Sequence, residues 1–190
     1  MNFAKAFTLT LLTLVLTSAS RGQTGINQFN FSSFKIMKGQ LGKIKIGMTI
    51  KEAEKQFTGL TKQTKIVAEF SFDDESPAHA YYLGKEMVFV LIPKYNTDTL
   101  LYIIATHKNL KTTNGLNPKS TVSELLQKYP DLTVVQDLMS GGEVFSDEKN
   151  NWEFRFKTER ETEIGVYPIA GNPSKPKRLN TKAEWIMIGK

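Results

Sequence analysis

The chain is 190 residues long, 40% hydrophobic and 23% charged, with a formal net charge of +6. That hydrophobic share supports a packed core and argues against wholesale disorder. There is no cysteine, which excludes a disulfide scaffold, a thiolate zinc site, a cysteine nucleophile and a lipid-anchored cysteine.

The N-terminus has the order of a secretory signal. Lys5 gives the positive start, residues 7–16 an apolar run interrupted by threonines, and Thr17-Ser18-Ala19-Ser20 a small-residue exit. The run is about half of the roughly 20 apolar residues that a spanning helix needs. Residues 1–20 are therefore expected to be a cleaved signal peptide. The mature chain is expected to be periplasmic or secreted, with no transmembrane segment. Its charge is segmented: residues 21–72 hold nine basic and three acidic side chains, residues 131–163 four basic and nine acidic. Nucleic acid is not an expected partner for an exported protein. Residues 21–40 read as a polar leader.

The strongest signal is internal. Thr49-Ile50-Lys51-Glu52-Ala53-Glu54-Lys55-Gln56-Phe57 returns 72 residues later as Thr121-Val122-Ser123-Glu124-Leu125-Leu126-Gln127-Lys128-Tyr129. Thr49 with Glu52, and Thr121 with Glu124, have capping-box spacing, so each copy opens a helix. Each helix is expected to run two to three turns, ending near Gly59 or Pro130. Ile50, Ala53 and Phe57 fall on one helical face, as do Val122, Leu125, Leu126 and Tyr129. β-rich segments follow each helix: 64–72, 80–83, 87–92 and 100–107 after the first, and 132–139, 143–145, 151–157 and 184–188 after the second. Turn residues separate them. The expected fold is α+β, two tandem helix-plus-antiparallel-meander repeats forming a helix-on-sheet two-layer domain. Repeat 1 covers 41–110 and repeat 2 covers 111–190, with a basic loop at 169–182 before the last strand.

The stretch Ile44-Lys45-Ile46-Gly47-Met48-Thr49-Ile50-Lys51-Glu52-Ala53 resembles the I-x-x-G-M-T-x-x-E-(A/V) opening of a group of exported α/β modules. These are the small lipoprotein of the outer-membrane barrel-assembly machinery and the β-lactamase-inhibitor proteins. The tandem form is more similar to the inhibitors, whose two units lay one sheet side by side. Copy two departs from the motif, with Leu116-Asn117-Pro118-Lys119 in place of the Ile-Gly-Met approach. The lipoproteins' anchoring cysteine and the inhibitors' disulfides have no counterpart here. The resemblance implies a non-catalytic binding module, without implying inhibition of a β-lactamase.

Segment 64–72 alternates, with Ile66, Ala68, Phe70 and Phe72 set against Lys65, Glu69 and Ser71, and segment 151–157 alternates likewise. Segments 87–92, 100–104 and 185–188 are instead apolar on both faces, as in strands covered on both sides. Two short helices cover one side only. The other side is expected to carry an apolar patch for a partner or a second subunit, unless the leader or the 169–182 loop covers it. Aromatic and Arg side chains are its natural anchors: Tyr81, Tyr82, Tyr102, Trp152, Arg155 and Trp185.

Chemistry-bearing motifs are scarce. His79 and His107 are the only histidines, and no G-x-S-x-G, phosphate loop or H-E-x-x-H occurs. Asp73-Asp74-Glu75 reads as a solvated turn rather than a cation loop, and Glu159, Glu161 and Glu163 as one exposed strand face. The expectation is a protein without catalysis, cofactor or metal, binding an unknown envelope or extracellular protein. The alternative is a periplasmic carrier or sensor of a small hydrophobic or anionic ligand.

Overall fold

The computed structural model describes residues 29–139 and 141–189. The signal expected at 1–20 and the start of the leader lie outside the described residues. No described helix is long and apolar enough to cross a membrane.

The architecture is α+β and mostly sheet. A small three-stranded sheet comes first, with β1 (Ile36–Met37), β2 (Gln40–Leu41) and β3 (Ile44–Lys45). Helix α1 (Ile50–Glu54) precedes β4 (Thr61–Ile66), β5 (Pro77–Leu83), β6 (Glu86–Pro93) and β7 (Leu100–Ala105). Helix α2 (Val122–Lys128) precedes β8 (Val135–Gln136), β9 (Glu143–Asp147), β10 (Trp152–Phe156) and β11 (Trp185–Ile188). Strands β4 to β11 form one antiparallel sheet of order β4-β5-β6-β7-β11-β10-β9-β8. The last strands of the two halves meet at its centre, pairing Ala105 with Ile186, Ile104 with Met187 and Ile103 with Ile188.

Both helices open with the capping box that the sequence announces. The Glu52 carboxylate accepts from the Thr49 amide at 2.9 Å, and the Thr49 hydroxyl oxygen accepts from the Glu52 amide at 3.2 Å. Thr121 and Glu124 repeat the exchange at 2.8 and 3.2 Å. The first helix is shorter than expected. It stops at Glu54, and Phe57 turns its ring edge-on to Tyr81 and Phe89, at 4.8 and 5.1 Å. The second ends before Pro130, where the preceding residue is forced out of the helical region.

Side chains alternate between two layers. On the helix side, Ile50, Ala53, Val122 and Leu125 pack against Phe89, Leu91, Ile103, Phe154, Phe156, Ile186 and Ile188. Phe29, Phe34 and Ile36, within the stretch read as a polar leader, are buried in the same layer. On the outer side, Ala78, Ala80, Val90, Ile92 and Ile104 are buried beneath Val67 and Phe70.

Several expected strands take other forms. Segment 64–72 bends after Ile66 into a 3-10 turn, Val67–Phe70. Val67 and Phe70 both face the sheet, a three-residue period that a strand cannot provide. Residues Arg160–Thr162 are also a 3-10 turn rather than part of a strand. The Thr162 hydroxyl accepts from the Glu159 amide at 2.8 Å and so closes that turn locally. Of segment 132–139, only Val135–Gln136 pairs as strand.

Candidate functional site

The outer face of the sheet has two unlike halves. Over β5 to β7, the segment after β4 lies across it. Phe70 meets Trp185 edge-on at 6.3 Å, and Phe72 tilts onto Tyr102 at 5.4 Å. Among the described residues, neither the leader nor the 169–182 loop supplies this cover. On β11 the outward residues, Trp185 and Met187, are still apolar and pack on the outer cluster, but on β10 they are polar: Glu153 and Arg155, the latter itself buried, face outward between Trp152, Phe154 and Phe156. The apolar part of the face is thus closed by the chain itself, and the part over β10 is charged.

A groove of about 800 Å³ runs along the border between the halves. Its floor holds Met87, Trp185 and Arg155, and its walls are the Val67–Phe70 turn and the Gly141-Gly142 turn. Gly142 has φ +80°, and a Cβ there would run into the Phe156 carbonyl oxygen, so this wall needs glycine. Arg155 is the pivot. Its Nη2 lies 2.6 Å from Asp137 Oδ2 and donates to the Gly141 carbonyl at 2.8 Å. Its guanidinium carbon sits 6.0 Å from the centre of the Trp185 ring, within reach of a cation–π contact. Glu153 is 3.9 Å away from Nη1. Burial raises the Glu153 carboxyl above its ordinary range, Arg155 opposes that rise and Asp137 adds to it.

At one end of the groove, His107 Nε2 lies 2.8 Å from Glu86 Oε2, while Nδ1 accepts from the Asn109 amide at 3.1 Å. Those partners place the ring proton on Nε2. The ring also stacks on Phe31 at 4.5 Å. Both nitrogens are therefore engaged in holding the loop after β7.

The expected anchor residues divide in two. Tyr82, Tyr102, Trp185 and Arg155 lie on the outer face, and Trp185 and Arg155 meet in the groove. Tyr81 and Trp152, each 2% exposed, belong to the helix-side core and reach no outside surface. Tyr81 and Tyr82 face opposite layers by ordinary strand alternation, and the bulge opposite them leaves Val88 as the extra residue of β6. The Tyr81 hydroxyl donates to Glu54 Oε1 at 2.7 Å, tying β5 to α1. Burial and that bond both push its pKa above the ordinary range.

Sequence reasoning missed Glu143, which is fully buried at the start of β9. Its carboxylate accepts from the Ile164 and Gly165 amides at 2.6 and 2.8 Å, the Thr158 hydroxyl at 2.8 Å and the Tyr167 hydroxyl at 2.5 Å. It fastens the loop beyond β10 to the sheet, behind the Gly141-Gly142 wall. An acidic residue directly before the apolar pair Val144-Phe145 was the available signal.

No family model matches this chain, and no curated protein matches it. Among solved structures it is similar to that of the uncharacterized protein yfeY from Escherichia coli. The likeness has a TM-score of 0.54 at 15% identity and covers 82% of this chain and 99% of that one. At that identity the likeness carries the α+β fold and nothing of function.

Proposed function

We propose that the protein is an exported, non-catalytic binding module that works from the groove on the outer face of its sheet. The observation behind this reading is the pairing of Trp185 and Arg155 on the groove floor. These are the side-chain types that carry most of the energy in protein interfaces. Two titratable pairs there already hold each other, Arg155 with Asp137 and His107 with Glu86, which favours a recognition surface over a reaction centre. The partner is an envelope or extracellular protein, or a second copy of the chain. We also read the chain as two tandem helix-plus-meander units. The matching capping boxes support this, as do four strands after each helix and the like pairing of β7 with β11. A small hydrophobic or anionic ligand is the second reading, because a groove of about 800 Å³ falls within the range of small-molecule sites.

The test passes envelope extract over the immobilised protein and over its Trp185→Ala variant, with thermal melts confirming that both are folded. The expected result is one species enriched on the first and reduced at least about tenfold on the second, as for loss of an interface anchor. Capture that is identical on both would overturn the groove reading. Native mass spectrometry of the protein as purified from cells, showing a fixed added mass that Trp185→Ala loses, would select the small-ligand reading.

A further inference from the structure

A second concavity of about 330 Å³ lies beside the groove, lined by Lys108, Lys111, Lys119 and Lys182 with Asn117 and Thr121. Three of the lysines come from the connection between β7 and α2, and Lys182 comes from the loop before β11. An isolated antiparallel bridge between Thr121 and Lys182 holds the two segments together. The one acid in the lining is Glu124, and its carboxylate is engaged by the Thr121 amide in the capping box. The lining therefore carries four ammonium groups against one carboxylate. Lys119 Nζ is turned away, donating to the Glu184 carbonyl at 2.6 Å. Among the described residues, Lys108, Lys111 and Lys182 form no ion pair.

Three unpaired like charges around one hollow repel one another, and the fold gains nothing from gathering them. The nearby backbone amides are not the attraction. Val122 and Ser123 donate to the carbonyls of Thr181 and Leu179. The Asn117 amides are likewise engaged, by the Ser120 hydroxyl. What the hollow offers is its ammonium groups, a set suited to an anion bearing several charges.

We propose that this hollow is an anion site for phosphate groups that together carry more than one negative charge. It stands independently of the groove, because Lys111 and Lys182 line the hollow and not the groove. The shared chemistry has two sources, a soluble polyphosphate and the headgroups of an anionic lipid surface. The experiment uses inorganic tripolyphosphate, titrated by calorimetry, and sedimentation with phosphatidylglycerol vesicles against phosphatidylcholine vesicles. Two double variants are compared with the parent protein. Lys111→Glu with Lys182→Glu changes the hollow. Lys94→Glu with Lys149→Glu makes the same charge change at the turns on the opposite end of the strands.

Binding is expected to fall at least about tenfold in the first double variant and to stay within about twofold in the second, since screened charges act over roughly 10 Å. Loss of tripolyphosphate binding alone assigns the soluble source, and loss of phosphatidylglycerol sedimentation assigns the lipid source. Equal losses in both double variants, or no binding of either anion by the parent, would overturn the proposal. Unchanged melting curves keep misfolding out of the comparison, because Lys111 and Lys182 are exposed.

Discussion

The half of the sheet that follows α1 and the half that follows α2 solve one problem in opposite ways. Each has helices on one face and a second face to manage. The first half lines its outer face with Ala78, Ala80, Val90, Ile92 and Ile104, and folds Val67 and Phe70 over them. The second half keeps Trp185 and Met187 on β11 but lines β10 with Glu153 and Arg155. Its turn after β8 holds Arg155 through Asp137 and the Gly141 carbonyl rather than folding apolar side chains over the sheet, and Leu138 and Met139 are 68% and 83% exposed. Each half also fastens helix to sheet through a tyrosine and a carboxylate, with the roles exchanged. In the first half, Tyr81 on β5 donates to Glu54 of α1. In the second, Tyr129 at the end of α2 donates to Asp147 of β9 at 2.6 Å. A shared architecture thus fixes where side chains go. Their polarity then decides which half is core and which is surface.

The largest effects should come from the two pieces that close each half. Glu143→Ala strands the buried Ile164 and Gly165 amides and the Tyr167 and Thr158 hydroxyls. At 1–3 kcal/mol for each unpartnered buried group, with relaxation, the expected loss is about 4 kcal/mol in urea unfolding. Phe70→Ala removes an apolar cover instead, for about 3 kcal/mol. If Glu143→Ala costs less than about 1 kcal/mol, the polar fastening of the second half is not what holds it.

The capping boxes offer a smaller and more even comparison. Thr49→Ala and Thr121→Ala each remove one cap, so each should cost about 1 kcal/mol. Thermal melts that differ widely between the two would show that the helices contribute unequally despite matching geometry.

The smallest effects concern pH and should differ in sign. Burial pushes the His79 pKa below its ordinary 6.5, Lys62 adds to this and Glu54 opposes it. The unfolded chain then binds the proton first, so stability held above pH 6.5 is lost as pH falls. Glu153 is raised from 4.5, so the folded chain binds its proton first and stability rises as pH falls toward 4.5. His79→Leu should flatten the loss below pH 6.5, and Glu153→Gln should raise stability at neutral pH and remove the acid-side gain. Urea midpoints across that range that match the parent in both variants would remove this contrast.

Much of the fold was legible because its signals are local. Capping boxes span four residues, and the alternation of Trp152, Phe154 and Phe156 shows within five. Segment 64–72 misled because its apolar residues fit two periods at once. Ile66, Ala68, Phe70 and Phe72 alternate, but Val67 and Phe70 at three-residue spacing are the pair that packs, while Ile66 stays exposed. The double-sided apolar runs pointed to strands covered on both sides, with a partner, a second subunit, the leader or the 169–182 loop as the expected cover, yet the cover over β5 to β7 is Val67 and Phe70, from a segment assigned to the sheet itself. The site was half legible. Trp185 and Arg155 stand out by residue type, whereas Tyr81 and Trp152 share that type and are core, a distinction set by which face of its strand each residue takes. The lysine hollow gives no sign in sequence, because the fold alone brings Lys182 beside Lys111.

The seam between β7 and β11 joins residues more than 80 positions apart, and one side of it is the last strand of the chain. A chain halted before Trp185 would present four strands ending at a bare β7 and three ending at a bare β10, each edge ready to pair with a neighbour. The sheet becomes continuous only when the C-terminal strand is inserted between two pieces already formed. Completion of the sheet is therefore a long-range event that waits for β11, however early the two pieces on either side of it have formed.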